Sequence, residues 1–400
     1  WDSSGKTANW RVFARGRDGR LMPFARTYLD FNATSPLRPQ ARAAVLGALD
    51  CVGNPSSVHF EGRWARRVLE DAREGISNLV NASPRQVIFT SGATEANTTV
   101  IGQKRWVGIA AAGVEHPSVL EAARRHGSGF TQLPVDRDGR VSIEAVKAWL
   151  STSDDGERLV CLQWGNNETG VLQPVAEVAE IVAEAGGALH VDAVQAVGRV
   201  PIDMVDCPIS FLTLSSHKIG GPQGVGALVL GPRGDLHRPL LVGGGQEHRL
   251  RAGTENVAGV AGFAAAAVCA LSEISDAARL CALRDRLEEG LASVTPGAVV
   301  LGKDVQRLVN TTSFGLAGFR AETLVIAFDL AGVALSAGSA CSSGKVGRSH
   351  VLGAMAVDED IAQSTLRVSL GWSSSEDDVA RFLEAWAKVT QSDRATAKVA

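Results

Sequence analysis

The sequence has few cysteines, and none of them stands at the spacing of a metal-binding or redox pair. The six are Cys51, Cys161, Cys207, Cys269, Cys281 and Cys341. Disulfide frameworks and zinc sites need closely spaced cysteines or cysteine–histidine clusters, so both classes of protein are excluded. This cysteine usage fits a reducing compartment, and we expect a cytoplasmic protein.

An excess of charge and a long hydrophobic run are also missing. The 40 Lys and Arg residues against 43 Asp and Glu residues give a net charge of −3, which leaves no electrostatic footprint for a nucleic acid or an anionic membrane. The most apolar stretch, residues 257–271, is shorter than the roughly 20 residues that cross a bilayer. We therefore expect no nucleic-acid partner and no membrane association.

The length of 400 residues exceeds the usual size of one domain. Residues 1–21 are rich in Arg and poor in acids, and we interpret them as an N-terminal extension. We predict a large domain over residues 34–270. Residues 22–33 and 271–400 together are predicted to form a smaller domain.

Short apolar runs alternate with helical patterns in the first two thirds of the chain, notably at 87–90, 159–164, 188–191 and 211–214. Continuous apolar strands separated by helices are typical of a parallel sheet that is covered on both faces. In such sheets ligands bind beyond the carboxyl ends of the strands. Polar motifs at these strand ends are therefore the candidate site residues.

The most informative strand end is Ser215-Ser216-His217-Lys218, where a lysine follows an apolar strand among hydroxyl groups. Its functional interpretation is a lysine that forms a Schiff base with pyridoxal 5′-phosphate; the alternative is a solvated loop lysine. Asp192 ends another apolar run, and a buried acid there needs a cationic partner such as a pyridinium nitrogen. Alone, Asp192 fits a helix N-cap equally well.

Three further motifs follow predicted strands. Ala93 and Thr94 begin a helix whose N–H groups can bind a phosphate, although the pattern also fits an ordinary helix start. His116 can stack on a pyridine ring and Asn167 can donate to its phenolic oxygen, although either residue can simply belong to a turn. Five polar motifs at strand ends in one chain are harder to explain as turns than any one of them.

Together and in this order, the motifs resemble the cysteine desulfurases of the NifS/IscS type, within the class V aminotransferase group of fold-type I pyridoxal enzymes. The resemblance covers about residues 27–390. Its strings are Tyr28-Leu29-Asp30-Phe31-Asn32-Ala33-Thr34, Thr90-Ser91-Gly92-Ala93-Thr94-Glu95-Ala96-Asn97, Glu115-His116-Pro117, Asn166-Asn167-Glu168-Thr169-Gly170, Val191-Asp192-Ala193-Val194-Gln195, Ser216-His217-Lys218 and Arg251-Ala252-Gly253-Thr254-Glu255-Asn256.

The resemblance implies an α/β fold with a large, mainly parallel seven-stranded sheet domain and a smaller α+β domain. It implies pyridoxal 5′-phosphate on Lys218, with Asp192 at the pyridine nitrogen and His116 over the ring. Asn167 and Gln195 would meet the phenolic oxygen. The residues expected at the phosphate are Ala93, Thr94, Ser215 and His217, together with Thr254 from the partner subunit of a homodimer.

Cys341 lies among small residues in Ser339-Ala340-Cys341-Ser342-Ser343-Gly344. A thiol in such a segment can attack a substrate sulfur, whereas a loop cysteine elsewhere is usually a small hydrophobe. The resemblance makes Cys341 the sulfur acceptor and assigns the substrate carboxylate to Arg367, with Asn32 nearby. It implies no resident metal, although Cys341 can transiently ligate an iron–sulfur cluster in family members.

The implied reaction converts L-cysteine to L-alanine and leaves a persulfide on Cys341. The sulfur then passes to an acceptor or scaffold protein for iron–sulfur cluster or other cofactor biosynthesis. The alternatives on the same scaffold are a selenocysteine lyase, a cysteine sulfinate desulfinase and a class V aminotransferase. The chain departs from the family pattern at Val242, where a histidine is usual.

Overall fold

The computed structural model of the protein describes residues 11–15, 21–126, 129–152, 156–338 and 349–397. Cys341 lies outside these ranges. The strands are β1 (Arg11–Arg15), β2 (Leu21–Ala25), β3 (Thr27–Tyr28), β4 (Val87–Thr90), β5 (Trp106–Ala112), β6 (Gly129–Leu133), β7 (Glu157–Gln163), β8 (Ala188–Asp192), β9 (Phe211–Ser215), β10 (Gly226–Leu230), β11 (Val299–Val300), β12 (Thr311–Gly315), β13 (Val333–Ala334), β14 (Ser336–Ala337) and β15 (Leu366–Ser369). The α-helices are α1 (Pro39–Leu49), α2 (Phe60–Leu79), α3 (Ala93–Ile101), α4 (Pro117–Arg125), α5 (Ile143–Leu150), α6 (Val175–Glu184), α7 (Val257–Glu273), α8 (Ala277–Val294), α9 (Ala321–Leu330), α10 (His350–Ala354), α11 (Glu359–Ser364) and α12 (Glu376–Ala397).

Seven strands form one large sheet in the order β4-β10-β9-β8-β7-β5-β6. All neighbours pair in parallel except β10, which is antiparallel to both β4 and β9. The register places Gln163 beside Asp192 and Asp192 beside Thr213. The predicted large, mainly parallel sheet is confirmed, and the polar ends of β7, β8 and β9 meet at one edge.

Both faces of this sheet are covered, which explains why its strands are apolar throughout rather than alternating. Ile88 packs in one hydrophobic cluster with α3 and α4 residues, while Val87 and Phe89 pack in another cluster with α2 and α7. Side chains alternate between the two faces of a strand, so adjacent residues of β4 enter different layers. The sheet is thus the middle of three layers.

Helix α7 is the most apolar helix, and residues 257–294 are long and apolar enough, by length and composition alone, to cross a membrane. In the fold, α7 packs against α1 and α2, with Val260 and Phe263 fully buried. A helix in the core of a globular protein can have the same length and apolar composition as a helix that spans a membrane. Its packing in the large-sheet core therefore accounts for the composition of α7.

A second sheet has the order β11-β12-β15-β14 and is antiparallel. An aromatic cluster fixes α9 and α12 to it: the ring centroids of Phe314 and Trp386 are 5.3 Å apart, and those of Phe328 and Phe382 are 5.4 Å apart. Helix α12 begins after Ser375, whose hydroxyl accepts from the Asp378 N–H. This α+β unit confirms the predicted smaller part of the fold.

The N-terminal part of the chain joins the smaller sheet before it enters the large one. Strand β3 pairs in parallel with β13, and Asp30 bridges to Ser369 beside β15. Leu29 is buried in the hydrophobic cluster of the smaller unit. Strand β1 lies in the predicted extension and pairs with β2, which begins at Leu21, the last residue of that extension; the sequence analysis predicts neither strand.

Candidate active site

The carboxyl-end edge of the large sheet opens onto a cavity of about 800 Å³ that the smaller unit closes from the other side. Eleven of the predicted site residues line it: Asn32, Ala93, Thr94, His116, Asn167, Asp192, Gln195, Ser215, His217, Lys218 and Arg367. They come from distant parts of the chain. The topology therefore brings the predicted strand-end motifs together in one place.

Lys218 ends the short 3₁₀ turn Ser216–Lys218 that follows β9. Its Nζ donates to the carbonyl oxygens of Asn32 and Ala33, the second at 3.0 Å. These carbonyls hold the ammonium group at the cavity wall. The lysine is a primary amine in a partly enclosed site, which is the requirement for a Schiff-base nucleophile.

Asp192 ends β8 and is only 7% exposed. Its carboxylate accepts from the side-chain amide of Asn97 at 3.0 Å and from the Val194 N–H at 3.1 Å. Both partners are neutral donors, and no salt bridge to Asp192 occurs among the described residues. A buried carboxylate of this kind attracts a cation, so the site suits a ligand with a protonated ring nitrogen.

Two histidines at the cavity are neutral at physiological pH. Burial lowers the pKa of His116, and the negative charge of Asp192 only partly opposes this. The Nδ1 of His116 accepts from the Ser118 N–H at 3.1 Å, so the proton of the neutral ring sits on Nε2. Burial, with the nearby charge of Lys218, lowers the pKa of His217 to about 4.

The first turn of α3 faces the cavity at Ala93 and Thr94. The residue before it, Gly92, has no side chain that could cap the helix. The amide groups of a first turn need an acceptor from elsewhere, and the helix dipole favours an anion there. Ser215 and His217 line the same cavity, and Gly226 separates Ser215 from Thr90, which lies just before α3, in the sheet. This end of the cavity therefore suits a phosphate group.

Arg367 is an arginine in an otherwise apolar strand and is only 2% exposed. Its terminal nitrogens donate to the Asn167 carbonyl at 2.9 Å and to the carboxylate of Asp30 at 2.7 Å. The amide of Asn32 also donates to the Asn167 carbonyl, at 3.2 Å. The guanidinium keeps unused N–H groups because an arginine has five donors, so it can bind a further carboxylate.

Sequence reasoning missed several residues at the site. Asp30 lies in a quoted motif, but only the rule that a buried arginine needs an acid could have singled it out. Gln163 lines the cavity because the register of the sheet places it beside Asp192. Ser336 also lines the cavity and donates to Asp30 at 2.8 Å.

Two predicted residues are not found at the cavity. Thr254 is exposed and does not line it, so this copy of Thr254 does not serve its own chain's cavity. Cys341 lies outside the described residues. The five cysteines that the structure describes are absent from the cavity lining, and burial raises the pKa of Cys161 well above its usual value.

The flanks of the segment that contains Cys341 are anchored close to the cavity. Before it, Ser336 lines the cavity; after it, Ser349 donates to the buried carboxylate of Glu168, at 2.5 Å. His350 contacts the Glu115 carbonyl through Nε2 at 2.8 Å. Both ends of the segment are therefore attached to residues beside the predicted site.

Comparisons with known proteins show which family the chain is similar to. The family model described as "Aminotransferase class-V" matches residues 27–382. A cysteine desulfurase of Cereibacter sphaeroides is 43% identical over 370 residues, which are 90% of this chain and 94% of that protein. An IscS-like cysteine desulfurase of Mycobacterium tuberculosis is 40% identical over 89% of this chain and 94% of that protein. A solved NifS-like protein from Rickettsia africae superposes with a TM-score of 0.84 at 32% identity, covering 92% of this chain and 99% of that one.

Proposed function

This chain belongs to the aminotransferase class-V family, and from that premise we propose how it works as a cysteine desulfurase: the cavity holds pyridoxal 5′-phosphate at Lys218, and Cys341 accepts the sulfur of L-cysteine. The observation that carries the proposal is that Lys218, Asp192 and Arg367 line one cavity. Lys218 supplies an amine, Asp192 a buried carboxylate, and Arg367 a guanidinium for the substrate carboxylate.

The residues present fit this cofactor at three places. Lys218 offers the amine for its aldehyde carbon, Asp192 the buried carboxylate for its ring nitrogen, and the uncapped start of α3 the amides for its phosphate. When bound, pyridoxal phosphate supplies an electron-poor ring that stabilises negative charge at the substrate Cα. The side-chain amide of Asn97 supports this assignment of Asp192: it donates to the carboxylate at 3.0 Å, while its Oδ1 is buried with no hydrogen-bond partner among the described residues.

The substrate is oriented by its carboxylate. Arg367 already pairs with Asp30 and retains donors, so a planar carboxylate can form a bidentate pair with it. Lys218 Nζ is the base that accepts the proton from the substrate Cα, and the neutral His116 is a second group that can pass on a proton.

Sulfur transfer belongs to Cys341. Its thiolate attacks the substrate sulfur, the carbon–sulfur bond of cysteine breaks, and the products are L-alanine and a persulfide on Cys341. Two residues on either side of the segment support this: Ser336 lines the cavity, and Ser349 donates to Glu168, the neighbour of the cavity residue Asn167. None of the described cysteines lines the cavity. The persulfide then passes to an acceptor or scaffold protein, for iron–sulfur cluster or other cofactor biosynthesis, in a reducing compartment such as the cytoplasm.

We also propose a homodimer in which Thr254 of each copy reaches the cofactor phosphate of the other. Thr254 lies outside its own cavity lining, which supports this assignment. Three exposed apolar residues between the end of α1 and the start of α2 offer the dimer apolar surface to bury: Leu49 is 66% exposed, Val58 87% and Phe60 71%.

The experiment that tests the function measures alanine and sulfide release from L-cysteine with a reductant, for wild type, Cys341→Ser and Cys51→Ser. Cys51 is an exposed cysteine that does not line the cavity, so its variant is the matched control. We expect Cys341→Ser to keep the cofactor absorbance and to release no sulfide. Equal activity of all three proteins, or alanine formation only with a keto acid, would instead favour a lyase, a desulfinase or an aminotransferase.

A further inference from the structure

Arg199 makes two close contacts with one residue of the cavity wall. Its NH1 donates to the backbone carbonyl of Gln195 at 2.6 Å and to the side-chain Oε1 of Gln195 at 2.5 Å. Among the residues that the structure describes, no carboxylate forms a salt bridge with Arg199. The half-buried guanidinium is therefore engaged by a neutral glutamine instead of an acid.

This contact and one with the Asn32 carbonyl together determine which way the amide of Gln195 points. A guanidinium has donors only, so the side-chain oxygen of Gln195 must face Arg199 and the NH2 group must face away. Gln195 Nε2 donates to the Asn32 carbonyl at 3.0 Å. An amide nitrogen carries two hydrogens, and this contact uses one, so a second N–H is available at the cavity that Gln195 lines.

We propose that Arg199 is a positioning residue, which holds the Gln195 amide so that an N–H donor, not the carbonyl oxygen, faces the aromatic oxygen of the bound cofactor. This inference rests on the proposed function. A flipped amide would bring two oxygens together, and the repulsion would weaken cofactor binding. Arg199 does this without entering the cavity lining itself.

Arg199 donates its hydrogen bonds to Gln195 at neutral pH as well. Desolvation, with the positive charge of Arg367 nearby, lowers the pKa of Arg199 to about 10, so the group stays protonated at pH 7. A protonated guanidinium cannot accept a hydrogen bond, and the orientation of the amide is therefore constant over the working range of pH.

The effect is measurable in the bound cofactor. A donor to its aromatic oxygen withdraws charge and makes that oxygen a poorer base, so losing the donor raises the pKa seen in the cofactor absorbance. A hydrogen bond to a charged group corresponds to an upward displacement of about one pH unit.

The experiment titrates the cofactor absorbance of the holoenzyme against pH and measures the cofactor dissociation constant. The variants are Arg199→Met, Arg199→Lys, Gln195→Ala and the double variant Gln195→Ala with Arg199→Met. Arg233→Met is the matched control, because Arg233 is an exposed arginine that donates to the Ala183 carbonyl away from the cavity lining. Thermal unfolding of each variant checks that it folds.

We expect Arg199→Met to raise the pKa of the bound cofactor by about one pH unit and to weaken its binding several-fold. Arg199→Lys, which keeps a donor, and Arg233→Met should titrate like wild type. The double variant should titrate like Gln195→Ala alone, because Arg199 acts through Gln195.

Two results overturn the inference: an unchanged titration in Arg199→Met, or a displacement in the double variant equal to the sum of the single ones. The second result would mean that Arg199 acts by its own charge. A wild-type protein that binds no pyridoxal phosphate would instead contradict the proposed function, so the two failures are distinguishable.

Discussion

Glu168 is a buried carboxylate whose protonation couples stability to pH. Burial raises its pKa to about 7, against the opposing effects of the Ser349 hydrogen bond and the charge of Arg367. A raised pKa favours the protonated group in the folded state. Its contribution is therefore full below about pH 4.5, where the unfolded chain is also protonated, and is lost as pH rises through about 7.

We predict that Glu168→Gln removes this pH dependence. Between pH 5 and pH 8 the wild type should lose on the order of 3 kcal/mol of unfolding free energy relative to Glu168→Gln, because glutamine keeps an acceptor for Ser349 and has no charge to bury. Denaturant unfolding at several pH values measures the difference. Parallel pH curves for the two proteins would contradict it.

Asp192 is the second residue with a sharp prediction. Asp192→Ala removes the buried carboxylate that faces the ring nitrogen of the proposed cofactor and leaves the Asn97 amide without its acceptor. We expect at least a 100-fold fall in kcat, since a positioned charged group supplies several kcal/mol. Steady-state kinetics of the holoenzyme measure it; a loss of less than tenfold would show that Asp192 only caps the following turn through Val194.

Lys218, Asp192 and His116 were predictable because each lies at the end of an apolar strand or in the short turn after it, and strand ends meet at one edge of a parallel sheet. Gln163 was not, because its place beside Asp192 depends on the register between β7 and β8. The role of Arg199 toward Gln195 was also hidden, because a charge four residues away in a turn has no pattern that separates it from a solvated arginine. The assigned roles of these residues stay predictions until they are tested.

At the scale of elements, β10 and the start of α3 are packed too closely to admit a side chain. A Cβ on Gly226 would lie 2.7 Å from the Gly92 Cα and 2.7 Å from the Leu214 carbonyl oxygen. Both are backbone atoms, one in the turn before α3 and the other in β9, so neither can move aside by rotating a side chain. The close contact between β10 and Gly92 therefore holds the first turn of α3, whose amides face the cavity, in place.

We predict that Gly226→Ala destabilises the protein by about 1–3 kcal/mol and also weakens cofactor binding, because Gly92 must shift. Gly47→Ala in α1 is the control: nothing lies within 4 Å of its Cβ, and alanine is the better helix former. Thermal unfolding and cofactor titration of both variants measure the effects. Unaltered cofactor binding in Gly226→Ala would show that the turn tolerates the shift.

A buried ion pair joins α2 to the turn after the glycine-rich run near Val242. Arg73 contacts Glu247 through two hydrogen bonds of 2.8 and 2.9 Å, and the Phe89 N–H donates to the same carboxylate. Glu247 lies in a turn where three successive residues have positive φ, 44°, 56° and 68°, which only surrounding contacts can maintain.

We predict that Glu247→Ala lowers the unfolding free energy by about 3–5 kcal/mol, because it removes the buried acid of Arg73 and leaves only the partly exposed Glu70, 3.3 Å away, as a carboxylate partner. Arg286→Ala is the control, since its contact with Glu376 joins two exposed side chains. Equal losses of unfolding free energy in the two variants would mean that the buried pair stabilises the protein no more than an exposed one.

At the scale of the whole molecule, the proposed dimer makes a complementation prediction. A mixture of Lys218→Ala and Thr254→Ala chains forms heterodimers in which one site has a Lys218 from one chain and a Thr254 from the other, both intact. We expect each variant alone to be impaired and the co-expressed pair to regain activity in that site. Activity of the mixture no higher than the average of the two would contradict the exchange of Thr254.

The dimer surface itself can be tested by charge. Phe60→Asp, at 71% exposure beside the other apolar residues of α1 and α2, should lower the mass in solution toward that of one chain. Leu330→Asp, at 79% exposure on α9, is the control and should leave the mass unchanged. Sedimentation at several concentrations measures both variants.

The ion pair between Arg367 and Asp30 also determines when the site can form during synthesis of the chain. Asp30 leaves the ribosome before any strand of the large sheet, and the arginine that it pairs with follows 337 residues later. Contacts this far apart in sequence form late, after most of the chain has been made. A growing chain can thus complete the large sheet, with Lys218 in place, before Arg367 has been made, so the guanidinium that would bind a substrate carboxylate is added to a site whose other side already exists.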